Sequence, residues 1–173
     1  ARSSACSALR SLVLSGCRRT SSTGLSCLSS LSLLRELDVA QCWRVDNLQW
    51  ARALPNLESL NVSTCSEIQG AEFARLGFFC RVLTTLCASG CSGMSDEGLE
   101  SIATRCTVLR ALDVGGCSLL TTSISSLTLC PSLTALNLTG CAAPGLPDAL
   151  TVLSEACPLV SDLGLARCVG VGD

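Results

Sequence analysis

One apolar frame, L-x-x-L-x-L-x-x-C, occurs seven times along this 173-residue chain, with Val or Ala in place of Leu at a few positions. The cysteines that close the frame lie 25, 23, 26, 26, 24 and 27 residues apart: Cys17, Cys42, Cys65, Cys91, Cys117, Cys141 and Cys168. Periods of roughly 20 to 50 residues are typical of stacked repeat architectures. The chain is therefore predicted to be an array of about seven similar units.

Each unit is expected to contain one short strand and one helical segment. The L-x-L core of the frame alternates apolar and polar residues, as in a strand with one buried face. The helical pattern is clearest over 95–106, where Leu99 and Ile102 share a face and Ser95 is placed to cap the helix. A unit of this size cannot bury its apolar faces alone, so neighbours must stack. We predict a single α/β domain over 1–173, a right-handed solenoid with a parallel sheet on its concave side and helices on its convex side.

The residues before two of the strands carry a further signature, Cys130-Pro131-Ser132-Leu133 and Cys157-Pro158-Leu159-Val160. With the cysteine-closed frame and the junction 94–99, this signature resembles the cysteine-containing leucine-rich repeat, a ribonuclease-inhibitor-like horseshoe solenoid found in F-box proteins. The resemblance implies a protein-binding function. Such repeats serve as the substrate-recognition part of F-box-type ubiquitin ligases or as structural subunits of large assemblies. No F-box-like segment is visible in this sequence.

Twelve of the fourteen cysteines fall into two ladders of equivalent positions. Seven close the frame, and five lie eleven residues earlier: Cys6, Cys80, Cys106, Cys130 and Cys157. Cysteine packs as a small apolar residue, and side chains in register on parallel strands are poorly spaced for a disulfide. We therefore expect free thiols and an intracellular, reducing compartment, first of all the cytoplasm.

The residue types also argue against catalysis. The chain has no histidine, and all twelve of its basic residues are arginine, which removes the commonest general base and any Schiff-base lysine. No phosphate loop, dinucleotide fingerprint or C-x-x-C metal knuckle is present. A paired-carboxylate hydrolase is the one chemistry left open. We predict a protein that is not an enzyme and has no cofactor, no metal and no small-molecule substrate.

The charge distribution allows one rival to protein binding. Residues 1–35 hold five arginines and no acid, which suits a weak nucleic-acid contact and is also typical of a mitochondrial transit segment. The arginines in question are Arg2, Arg10, Arg18, Arg19 and Arg35. Interleaved aromatics that would stack on bases are missing, so nucleic acid is the weaker alternative. The uncharged stretch 114–147 contains three prolines and is not a predicted membrane span.

Candidate partner-binding residues come from two parts of the chain. Residues flanking the strand leucines should project from the concave face, where the densest charge cluster is Arg35, Glu36, Asp38 and Glu58. Trp43 follows on the adjoining rim, either exposed as an anchor or folded back over the core. In the helical part, alignment of Cys80 with Cys106 places Phe78 and Phe79 on a solvent-facing surface.

The two ends of the sequence lack the polar capping units that close a solenoid. We expect the 1–173 segment to be part of a longer chain, with one or both ends covered by flanking sequence or by a partner.

Overall fold

The computed structural model describes residue 6 and residues 8–168, and it contains one sheet of seven parallel strands. The strands are β1 (Ser11–Val13), β2 (Glu36–Asp38), β3 (Ser59–Asn61), β4 (Thr85–Cys87), β5 (Ala111–Asp113), β6 (Ala135–Asn137) and β7 (Asp162–Gly164). Each strand pairs with the next along the chain, so that Leu60 lies beside Leu37 and Leu86. The α/β architecture and the strand register predicted from the frame are confirmed.

The helical segments differ from unit to unit. Four are α-helices: α1 (Ser22–Leu25), α2 (Gly70–Phe79), α3 (Asp96–Arg105) and α4 (Leu146–Ala156). Three are 3-10 helices: Ser26–Ser30, Gln49–Ala53 and Ser123–Leu129. The intervals of 23 and 24 residues between frame cysteines contain only 3-10 helix, whereas those of 26 and 27 residues contain a full α-helix. A 3-10 helix rises about 2.0 Å per residue against 1.5 Å, so fewer residues cover the same distance.

The core lies between the leucine face of the sheet and the helical segments. From the sheet come the frame residues, among which Leu37, Leu60 and Leu86 are at most 2% exposed. From the helical side come residues such as Phe73 of α2 and Ile102 of α3, and all belong to one apolar cluster. The helices therefore cover one face of the sheet, and the opposite face is left open.

The frame-closing cysteines bond each unit to the one before it. The Cys42 thiol donates to the Leu14 carbonyl oxygen at 3.2 Å, and the same bond recurs in every later unit, as from Cys91 to Val62 at 3.1 Å. In the second ladder, Cys106 donates to the carbonyl of Cys80 at 3.3 Å. All fourteen cysteines are free thiols. Cysteine suits these positions because it is small and apolar but can still donate a weak hydrogen bond.

The start of α3 differs from the sequence prediction. Ser95 occupies the N-cap position, but its side chain makes no capping hydrogen bond. Asp96 instead reaches the following unit and accepts hydrogen bonds from the backbone N–H of Thr121 and Ser123 at 2.9 and 3.1 Å. Burial alone would raise the pKa of Asp96, but the hydrogen bonds from Ser123 and Thr121 outweigh it and hold that pKa well below its usual value. The acid thus joins two units rather than capping its own helix.

Two sequence expectations involve residues that the structure does not describe. Arg2 and the opening and closing segments, on which the prediction about chain ends depends, lie outside the described residues.

Among residues 6 and 8–168, no helix combines the length and the apolar character needed to cross a bilayer.

Candidate protein-binding surface

The open face of the sheet presents two rows of side chains that flank the buried leucines. The first row is Ser11, Glu36, Ser59, Thr85, Ala111, Ala135 and Asp162, and the second is Val13, Asp38, Asn61, Cys87, Asp113, Asn137 and Gly164. Parallel pairing in register aligns each row across all seven strands. Every side chain in both rows is exposed or half-buried. Together the two rows form a continuous ribbed surface, called the open face below.

The open face is acidic. Its two rows contain four acids and no base: Glu36, Asp38, Asp113 and Asp162. Small residues at Ala111, Ala135 and Gly164 leave a hollow of about 460 Å³ over β4 to β7, with Asp113 and Asp162 among its lining residues. A partner that fills this hollow would meet carboxylates rather than cationic groups.

Second-row polar groups also hold the strand ends in place. Asp38 accepts from the Ala40 N–H at 2.8 Å and from the Asn61 amide at 3.2 Å. Asp113 accepts in the same way from the Gly115 N–H at 2.9 Å and from the Asn137 amide at 3.0 Å. These are Asx-type turns linked across neighbouring strands. The carboxylate positions are therefore fixed by the fold before any partner arrives, which lowers the entropy lost on binding.

Cys87 interrupts this polar row between Asn61 and Asp113. Its thiol is half-buried on the open face, where the sequence places it. Burial raises the pKa of Cys87, and the nearby carboxylates of Asp113 and Asp38 raise it further. The thiol is therefore protonated at neutral pH, which disfavours a redox or nucleophilic role.

The structure separates the charge cluster predicted around β2. Arg35 forms an ion pair with Glu58 in the next unit, and both residues lie just before their strands. We call this side of the sheet, where the chain enters the strands, the leading edge, and the opposite side the trailing edge. Glu36 stays exposed in the first row, while both carboxylate oxygens of Asp38 are hydrogen-bonded. Of the four predicted residues, Glu36 is thus the acid most free to contact a partner.

Trp43 is exposed at the trailing edge, directly after the buried Cys42. Its side chain is 52% exposed, and the guanidinium of Arg18 in the preceding unit lies 4.8 Å from the ring centroid. Of the two predicted alternatives, the structure therefore shows the exposed one. The stacked Arg18 restrains the indole through a cation–π contact and keeps it available to a partner.

The two adjacent phenylalanines have different environments. Phe78 is 51% exposed, and the Arg105 guanidinium lies 3.6 Å from its ring centroid. Phe79 is half-buried against the apolar core, so the prediction that both rings face solvent is wrong for this residue. The reason is local: Phe79 lies three residues after the buried Leu76 in α2, so its ring is on the side of the helix that faces the core.

Sequence reasoning did not single out Arg105, nor the exposed valines Val82 and Val108. The sequence does contain a pattern that could have identified the valines, since each lies two residues after a cysteine of the second ladder, Cys80 or Cys106.

Among residues 6 and 8–168, no group of three or more His, Cys, Asp or Glu side chains is arranged to hold a metal ion.

No family model matches this chain, and no curated protein matches it. Similar solved structures include an internalin from Listeria monocytogenes, with a TM-score of 0.64 and 21% identity over 92% of this chain and 48% of the internalin. The complex of Rad7 and Elc1 from yeast gives a TM-score of 0.68 at 18% identity, over 86% of this chain and 42% of the matched one. The chain has the leucine-rich-repeat fold.

A third similar structure is actin-binding site 2 of leiomodin-1, with a TM-score of 0.52 and 16% identity. The match covers 64% of this chain and 71% of the leiomodin-1 chain. By contrast, this leucine-rich-repeat chain spans less than half the length of the internalin and of the matched chain in the Rad7–Elc1 complex.

Proposed function

We propose that the chain is a non-catalytic protein-binding module of the cysteine-containing leucine-rich-repeat type, which holds its partner against the open face. The observation that carries the proposal is the open face itself: seven strands present two aligned rows of accessible side chains. At about 4.8 Å per strand the sheet is roughly 29 Å wide, so an extended partner segment can contact several units at once.

The chemistry of the open face favours a partner with a basic contact surface. Four carboxylates and no cation line the two rows, and the turns at Asp38 and Asp113 fix two of those carboxylates. Complementary charge speeds association and selects among partners more than it raises affinity. Binding should therefore be faster at low ionic strength.

Similar structures support protein binding in general terms. Rad7 was solved in complex with Elc1, and the leiomodin-1 fragment is described as an actin-binding site. A substrate-recognition arm of an F-box-type ubiquitin ligase and a structural subunit of a large assembly are two forms that such binding would take. We infer a reducing intracellular compartment for either form, because the ladder cysteines act as thiol donors.

The nucleic-acid alternative is disfavoured by the contacts of two of its five candidate arginines and by the charge of the open face. Arg35 is paired with Glu58, and Arg18 is stacked on Trp43 and covers one face of the indole ring. The open face between them is acidic and would repel phosphates.

Site-specific photo-crosslinking in cells tests the proposal. A photoreactive residue at Ser59, in the first row of β3, should crosslink a partner protein. The same residue at Ser125, which is exposed in a 3-10 helix on the opposite side, should not. Charge reversal by Glu36→Arg with Asp162→Arg should lower the Ser59 crosslink severalfold. Equal crosslinking from both positions, or none from Ser59, would contradict binding through the open face.

A further inference from the structure

A second exposed surface lies on the leading edge, where α2 and α3 end and the chain turns towards β4 and β5. Phe78, Val82 and Val108 are 51%, 44% and 46% exposed. The two valines hold equivalent positions in adjacent units, each two residues after a second-ladder cysteine. With three arginines from the same turns they form what we call the leading-edge patch: Phe78, Arg81, Val82, Arg105, Val108 and Arg110.

The charges of the leading-edge patch all have one sign. Neither 73–95 nor 101–112 contains an acid. The two ion pairs found within the described residues involve Arg35 and Arg75, so Arg81, Arg105 and Arg110 have no carboxylate partner in that part of the chain. Unlike the open face, the leading-edge patch is therefore cationic around its apolar residues.

Arg105 shows most clearly that the patch lacks a partner. Its guanidinium stacks on Phe78, yet its Nε is buried and has no hydrogen-bond acceptor within the described part of the chain. A buried charged donor without an acceptor is unfavourable, and such groups are rare in folded proteins. A carboxylate supplied from outside would pair with the terminal nitrogens of this half-buried guanidinium, because the guanidinium fork matches the two oxygens of a carboxylate.

We propose that the leading-edge patch binds an acidic, amphipathic segment of a partner protein. Apolar side chains of that segment cover Phe78, Val82 and Val108, and its carboxylates pair with Arg81, Arg105 and Arg110. Complementary charge and an aromatic anchor with arginines around it are the usual composition of an interface centre. This surface is separate from the open face, so one chain can hold a basic surface and an acidic segment together.

The arrangement fits a protein segment better than a membrane or a nucleic acid. Its apolar side chains come from one helix end and two turns, whereas a membrane-surface helix presents a long continuous apolar face. A nucleic-acid base would have to stack on Phe78, where Arg105 already covers one face of the ring.

Fluorescence polarisation with a synthetic peptide tests the inference on the intact chain. The labelled peptide contains only leucine and glutamate, with the leucines at helical spacing over roughly four turns. We expect saturable binding that weakens with salt, and a matched peptide with glutamine for glutamate should bind about tenfold more weakly. Phe78→Ser, and Arg81→Gln with Arg110→Gln, should each reduce binding about tenfold.

Two variants at the trailing edge serve as controls, Leu119→Ser and Arg19→Gln, since both residues are exposed and lie outside the patch. Neither should change binding, and all variants should unfold at the wild-type temperature because the substituted side chains are exposed. The proposal is wrong if the glutamine peptide binds equally well, if the controls lose as much binding as Phe78→Ser, or if no saturable binding occurs. Binding to anionic phospholipid vesicles but not to the peptide would instead identify a membrane surface. The photo-crosslinking experiment at Ser59 tests the open face separately, so its outcome does not depend on these peptide-binding results.

Discussion

The thiol of Cys117 lies 3.3 Å from the carbonyl oxygen of Ala88, one unit earlier along the solenoid. The same carbonyl accepts the backbone N–H of Cys91 in its own unit at 3.1 Å. Both lone pairs of this oxygen are therefore used, one within the unit and one between units. The frame-closing cysteine is a hydrogen-bonded joint between neighbours as well as a core residue.

This joint predicts a clear cost when it is removed. Cys117→Ala should lower the free energy of unfolding by about 1 to 3 kcal/mol, because it leaves a small cavity and removes one acceptor contact. Cys27→Ala, at an exposed cysteine outside both ladders, should change it by about 0.5 kcal/mol or less. Urea unfolding of the two variants gives the comparison, and similar values would mean that the ladder contributes nothing.

The buried thiols also predict sensitivity to alkaline pH. Burial raises the pKa of Cys91, Cys117 and Cys130 to about 12 from an ordinary value of 9.0. Between those values the unfolded chain loses thiol protons that the folded chain keeps, so stability should be full below pH 9.0 and fall as the pH rises towards 12. The chain has neither Lys nor Tyr, so cysteines are the side chains that titrate there.

Urea midpoints measured from pH 8 to pH 11 should therefore change little up to about pH 9 and fall steadily above it. Cys117→Ala should make this slope shallower. Thiol titration of the denatured protein without reductant should find all fourteen cysteines reactive. Several native disulfides, or midpoints independent of pH, would overturn the free-thiol account.

Asp96 predicts the behaviour at acid pH. Its lowered pKa means that its contribution is complete above an ordinary value of 3.8 and is lost as the pH falls through the folded-state pKa. Asp96→Ala should cost about 1 to 3 kcal/mol at pH 7, since it leaves the N–H groups of Thr121 and Ser123 without their acceptor. It should also reduce the loss of stability on acidification below pH 4. Glu97→Ala, at the exposed neighbour, provides the control and should not show this loss of stability at pH 7.

Leu112 and Asp113 test the strand register. Leu112→Ala should cost about 2 to 5 kcal/mol, because the side chain is 2% exposed and packed in the leucine row. Asp113→Ala should cost about 1 kcal/mol, since it removes the acceptor of the Gly115 N–H and of the Asn137 amide. If chemical denaturation gave equal losses for both variants, the assignment of faces would be wrong.

Much of the fold was predictable because it follows from periodicity. The L-x-L spacing determines which strand residues are buried, and the frame determines which residues pair across the sheet. Contacts between units were harder to predict. Asp96 resembles an ordinary first-turn acid, and its bonds to Thr121 and Ser123 depend on how a neighbouring 3-10 helix is placed.

The exposed surfaces were predictable only in part, because they depend on where each helix ends. Phe78 and Phe79 are identical in residue type, yet in the last turn of α2 the first is exposed and the second is half-buried. The residue before each frame-closing cysteine has a positive backbone φ angle. It is glycine in four units and Gln41, Thr64 or Arg167 in the other three. Residue type therefore does not identify this position, whereas the geometry of the turn does.

The most direct test of the central claim uses Cys87, a native thiol on the open face, and Cys27, an exposed thiol on the helical side. Both are alkylated in cells and in the purified chain, for long enough to label Cys87 measurably in the purified chain because its raised pKa slows the reaction, and the ratio of Cys87 to Cys27 labelling is measured by mass spectrometry. If a partner occupies the open face, the ratio should be severalfold lower in cells, while Cys27 labelling stays the same. An identical ratio in the two settings would contradict binding through the open face.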